Sequence, residues 1–131
     1  MAKDIALSKN GHVATIEIQR PPLNFFDLSL IQQIADALEQ LDKEVAVRAV
    51  VLAAQGKAFC AGANFSTSES DDGDTNSNSA TEHLYLEAVR IYRTAKPIVA
   101  AVHGAAIGGG LGLAMTADFR VTCPEARFAA N

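Results

Sequence analysis

The sequence predicts an α/β fold, on three observations. Two short β-branched runs, Val47 to Ala53 and Ile98 to Val102, read as buried strands. Stretches with apolar residues at helical spacing precede or separate them. Each run is followed by a loop of small residues, where α/β proteins place their functional groups.

Taken in order, Asp4 to Gln19 reads as a β-hairpin. Ile5 and Leu7 alternate with polar neighbours, Asn10-Gly11 is a strong two-residue turn signal, and Ala14, Ile16 and Ile18 alternate with Thr15, Glu17 and Gln19. Pro21 and Pro22 stop the strand because they donate no ladder hydrogen bond. Asp27 is placed to cap a helix running to about Lys43, with Leu28, Ile31, Ala35, Leu38 and Leu41 as its apolar stripe. After the first buried strand comes "AQGKAFCAGANF". Residues 66–80, "STSESDDGDTNSNSA", hold no apolar side chain before Ala80 and cannot bury enough surface to offset their ordering entropy, so a mobile polar loop is expected. Thr81 to Thr94 should be helical, with Leu84, Ala88, Ile91 and Ala95 on one face, ending before Lys96-Pro97. The second buried strand follows, then the glycine-rich stretch, a short helix from about Gly110 to Thr116, a strand from Asp118 to Thr122, and the start of another element at "EARFAAN".

A length of 131 residues fits one domain, and 49% apolar with 20% charged residues fits a water-exposed globular surface. A net charge of -4 and the absence of tryptophan argue against a nucleic-acid surface. Cys60 and Cys123 have neither metal-ligand spacing nor the density of a disulfide framework, and both are expected to be reduced and structural. No metal is expected. The N-terminus shows no apolar leader, and no apolar run is long enough to span a bilayer, so a cytoplasmic protein without membrane contact is expected.

The chemistry centres on "HGAAIGGGLGLAMTADF", residues 103–119. Three consecutive glycines and Gly112 cost folding free energy in regular structure, so something must approach this backbone closely. A dinucleotide fingerprint fails, because its third glycine would be Leu113 or Met115. A P-loop fails, because Leu111 follows Gly110. A serine-hydrolase reading fails, because the chain has no nucleophile elbow. Exposed amides at a helix start remain, and "GKAFCAGANF" supplies a second loop of small residues after a strand. Two such loops could aim two N–H groups at one carbonyl or thioester oxygen, where negative charge develops.

These motifs carry a resemblance. "GKAFCAGANF", followed by "KPIVAAVHGAAIGGGLGLAMTADFRV" and "ARFA", with "RPPLNFFD" upstream, closely resembles the crotonase superfamily, or enoyl-CoA hydratase/isomerase family. The resemblance covers about the N-terminal half of such a domain, residues 1–131 being that part. It implies a ClpP/crotonase-like spiral of repeated β-β-α units, here truncated, that binds acyl-CoA thioesters and needs no cofactor beyond coenzyme A as part of the substrate. It implies an oxyanion hole from the backbone N–H groups of Ala63 and Gly109. It assigns CoA contacts to the main chain around Ala61, Asn64 and Phe65, and to the segment at Asn24. The full-length protein would be a homotrimer or hexamer.

One departure is important. Where family hydratases carry a first catalytic glutamate, this chain has Gly112; the second would fall just past Asn131. Water addition in that mechanism uses two carboxylates gripping one water. No acid lies between Gly104 and Ala117, and Asp118 is six residues on, facing elsewhere on a helix. Hydratase activity is therefore doubtful, and this chain alone is expected to be inactive. The alternatives are a relative with another reaction (isomerase, decarboxylase, thioester hydrolase) or an acyl-CoA-binding module without chemistry. His83, Tyr85 and Glu87 sit on the helix after the polar loop, which in several relatives borders the acyl pocket, although a solvated helix face is the favoured account of all three. His103 is expected to satisfy a local backbone hydrogen bond. The isolated 131 residues are expected to expose apolar patches and associate.

Overall fold

The computed structural model describes residues 4–63 and 77–130. Strands β1 (Ile5–Asn10) and β2 (Val13–Ile18) form the hairpin, paired antiparallel with Ile5 opposite Ile18 and Asn10 opposite Val13. Gly11 takes a φ of 62° in the turn, the left-handed value that the Asn-Gly signal anticipates. Helix α1 (Leu28–Asp42) starts where Asp27 predicts, and the Asp27 carboxylate accepts the Leu30 N–H at 3.0 Å. Strands β3 (Ala49–Ala54), β4 (Ile98–Val102) and β6 (Phe119–Thr122) then add in parallel, giving the order β1-β2-β3-β4-β6. The register aligns Ile16 with Leu52 and Leu52 with Ala100. That row is buried with Leu30, Ile34, Leu38 and Leu41 of α1 in one apolar cluster.

A second layer carries the site. β5 (Ala105–Ile107) pairs in parallel with β7 (Arg127–Ala129). Single bridges join Cys60 to Ala106 and Phe26 to Ala63. Among the described residues β4, β5 and then α3 (Gly109–Met115) form one turn of chain that runs strand, extended segment, helix.

Several sequence expectations shift. Helix α2 spans Ser77–Tyr92, so residues 77–80, expected in the polar loop, are helical; residues 66–76 lie outside the described residues. At its other end α2 stops two residues before Thr94. The Arg93 and Thr94 amides turn back to the Arg90 and Ile91 carbonyls, and Asp42 takes the Ala95 N–H, leaving Ala95 exposed rather than on the apolar face. β3 was expected to be buried throughout, yet only alternate residues, Val50 and Leu52, are buried. Leu7 is exposed because β1 is an edge strand. Leu28 is only half-buried, and Leu30 and Ile34 take the core side of α1 instead. The other edge strand, β6, exposes Phe119 and Val121, and β7 exposes Phe128. Both cysteines are free.

Candidate functional site

The glycine stretch is explained by what touches it. Gly108 precedes α3 with a φ of 56°, and its N–H donates to the Ala129 carbonyl at 2.8 Å. A Cβ at Gly109 would stand 2.1 Å from Cζ of Phe26. One at Gly110 would stand 1.9 Å from the Cys60 carbonyl oxygen, and one at Gly104 2.1 Å from that of Lys57. Real Cβ atoms do not come so close, so a side chain at Gly104 or Gly110 requires backbone movement, and one at Gly109 requires the Phe26 ring to move. Gly112 differs: a Cβ there meets nothing within 4 Å, and its φ is not positive. Neither packing nor backbone conformation requires glycine at that position.

The two small-residue loops are zipped together by main-chain hydrogen bonds. Phe59 and Cys60 N–H groups donate to Ala105 O at 3.0 Å, and Ile107 N–H donates to Cys60 O at 3.1 Å. On the other side Phe26 N–H donates to Gly62 O at 2.9 Å, and Ala61 N–H to Leu23 O at 2.9 Å. Phe26 thus pairs with the loop of Ala63 while its ring lies against Gly109. Among the described residues, none accepts a hydrogen bond from the amides of Ala63 or Gly109. For Gly109 this follows from helix geometry, since the first amides of α3 have no intrahelical partner.

Beside these loops lies a cleft of about 300 Å³. One wall is a face of α3 at helical spacing, Gly109, Gly112, Leu113 and Thr116. The opposite wall is a face of α2, including Leu84, Tyr85, Ala88 and Tyr92, with Phe26, Ile31 and Ile91 completing the lining. No carboxylate, histidine, lysine or arginine is among these lining residues. The Thr116 hydroxyl donates to Leu113 O at 2.6 Å, within its own helix.

Of the other sequence candidates, Tyr85 lines the cleft, exposed His83 does not, and Glu87 is turned away into an ion pair with Arg90. Arg90 also holds Asp36 at 2.6 Å and Glu39 at 2.9 Å on α1, which fixes the cleft wall to the core helix. Asp118 accepts the Ile98 N–H at 2.8 Å at the head of β4, so its carboxylate is committed there. His103 does bond a backbone carbonyl, but that of Gly56 at 2.7 Å, 47 residues away in sequence rather than local. Burial pushes the Cys60 thiol up from its ordinary value and keeps it protonated, consistent with packing rather than nucleophilic chemistry.

Asn24 is fully buried, with a φ of 53°. Its Oδ1 accepts Arg20 N–H at 2.8 Å, and its Nδ2 donates to Gln55 O at 2.6 Å and Ala58 O at 2.8 Å. The Asn24 side chain is therefore occupied in tying its loop to the loop after β3, while Leu23 and Phe25 beside it are exposed. Asn64 and Phe65 lie outside the described residues. Phe26 is the residue that sequence reasoning missed: an aromatic in a proline-stopped loop carries no periodic signal, and only its contact with Gly109 shows its place.

The family model for enoyl-CoA hydratase/isomerase matches residues 8–131. The chain belongs to this family. It is 33% identical over 123 residues to a probable enoyl-CoA hydratase of Bacillus subtilis, a match covering 94% of this chain and 48% of the relative. An enoyl-CoA hydratase subunit I structure from Geobacillus kaustophilus superposes with a TM-score of 0.86 at 33% identity, covering 96% of this chain and 48% of that one. A Magnetospirillum magneticum enoyl-CoA hydratase/carnitine racemase gives a TM-score of 0.89 at 26% identity, covering 99% and 50%. The fold is that of the crotonases, and the chain spans about half the length of the relatives it matches. Among the described residues no helix is long and apolar enough to cross a membrane, and no three metal-ligating side chains gather in a candidate site.

Proposed function

We propose that the protein carrying this chain binds an acyl-CoA thioester, with the thioester oxygen held by the backbone N–H groups of Ala63 and Gly109. The observation that carries this reading is the junction at Phe26, which pairs with the Ala63 loop and underlies Gly109 at the edge of an apolar cleft. Removal of an α-proton, or attack on the β-carbon of an enoyl group, moves an electron pair toward the carbonyl oxygen. Two fixed amide dipoles stabilise that charge without reorganising, and each such donor contributes roughly 3–4 kcal/mol in comparable sites. Main chain at Ala61, with Asn64 and Phe65, would hold the CoA moiety.

Hydratase chemistry lacks its first acid here. Among the described residues the cleft lining holds no carboxylate, and the position expected to carry one is Gly112. The favoured reading is an enoyl-CoA hydratase/isomerase-type thioester enzyme with weak or no water addition, cytoplasmic and assembled as a homotrimer or hexamer. The lack of charge among the described lining residues also favours a second reading, an acyl-CoA-binding protein without turnover. Titrating the protein with crotonyl-CoA and following its double bond by ultraviolet absorbance tests both. Saturable binding with slow or absent hydration is expected. Hydration at ordinary hydratase rates would overturn the reading of Gly112, and no binding would overturn the thioester assignment.

A further inference from the structure

On the thioester reading above, the shape of the cleft at Gly112 bears on which acyl group it takes. Gly112 sits in the middle of the α3 face that forms one wall of the cleft, between Gly109 and Leu113–Thr116. Glycine inside a helix costs about 1 kcal/mol relative to alanine. At Gly110 a close neighbour explains that cost, whereas at Gly112 a side chain would meet open space. The missing side chain enlarges the cleft at one place, a single helical turn from Gly109, where positions on one helix face lie about 5–6 Å apart. An oxygen bound at the Gly109 amide therefore puts the first few acyl carbons beside Gly112. The surrounding side chains are apolar or aromatic, and Thr116 spends its hydroxyl inside α3.

We propose that Gly112 is a specificity-determining residue, and that the space above it admits the branch or ring of an uncharged acyl group substituted close to the thioester. A straight short chain leaves that space unfilled. A charged substituent would lose hydration with no opposite charge in the described lining, where the polar side-chain groups besides Thr116 are the hydroxyls of Tyr85 and Tyr92.

The test is calorimetric titration of the protein with two CoA thioesters, crotonyl-CoA and cyclohex-1-ene-carbonyl-CoA. The cyclic thioester should bind at least as tightly as the linear one. Gly112→Val should weaken the cyclic thioester roughly tenfold or more while changing crotonyl-CoA by less than about threefold, the scale of discrimination that one or two methyl groups command in an apolar pocket. Gly112→Ala, which the helix accommodates, should shift the ratio in the same direction by less, and keeps the test valid if the valine variant folds poorly. Exclusion of the cyclic thioester by the native protein, or equal loss for both ligands in the variants, would overturn the proposal while leaving the thioester reading intact. Binding of neither would overturn the thioester reading itself, and this inference with it.

Discussion

The ring of Phe26 occupies the space into which a side chain on Gly109 would project, with Cζ 2.1 Å from where the Cβ would stand. This contact joins the loop before α1 to the start of α3. Since Phe26 also pairs with Ala63, one residue fixes both proposed oxyanion donors.

The glycines of α3 should therefore respond in opposite directions to the same substitution. Gly110→Ala forces a Cβ onto the Cys60 carbonyl and should lose about 1–3 kcal/mol or more, as overpacking does. Gly112→Ala should gain about 0.5–1 kcal/mol from helix propensity alone. Urea denaturation of the two variants checks this, and equal effects would show that the close approach of α3 to the Cys60 loop is misplaced.

Gly112→Glu should raise crotonyl-CoA hydration. A Cβ at this position meets no neighbour within 4 Å and lies on the cleft wall, and a positioned proton-transfer group contributes roughly 10²-fold or more. The gain should be visible as kcat. An unchanged rate in a variant that still binds the thioester would mean that position 112 does not face the reacting carbons.

Asn24→Ala should destabilise the protein by about 2–4 kcal/mol, because it leaves two carbonyls and one amide without partners in a buried place. Asn24→Asp should do comparable damage, since a carboxylate offers no donor to Gln55 O and Ala58 O. Thermal melts of both variants test the role, and a mild aspartate effect would contradict the assigned direction of those hydrogen bonds.

Acid stability should depend on Asp4. The hydrogen bond from Arg20, at 2.8 Å, and then that from Gln33 at 2.9 Å, hold its carboxyl below the ordinary value of 3.8. A depressed folded-state value means the contribution is complete above pH 3.8 and is lost as pH falls below it through the folded value. The stability gap between native protein and Asp4→Asn, read from urea midpoints, should thus shrink on acidification. A gap constant from about pH 6 to about pH 2.5 would contradict the pairing.

Much of this was legible because local chemistry decides it. Asn10-Gly11 fixes the hairpin, Asp27 fixes the start of α1, and alternation fixes the buried face of β2. β5 was not legible: three residues, Ala105–Ile107, become a strand only through partners far away in sequence, Arg127–Ala129 and Cys60. The start of α2 was not legible either, since Ser77 and its neighbours have loop composition. In the site, glycine announced a close approach but not its object. Composition and spacing do not distinguish Gly110, pressed on a carbonyl, from Gly112, open to a cleft; only the family resemblance sets Gly112 apart.

The central claim is that two main-chain amides from separate loops meet at one thioester oxygen. A crystal structure of the protein with a bound, non-hydrolysable acyl-CoA thioester analogue tests it most directly. The carbonyl oxygen is expected within about 3 Å of both Ala63 N and Gly109 N, with the acyl group along the α2–α3 cleft. A carbonyl bonded to neither amide, or an acyl group outside that cleft, would contradict it.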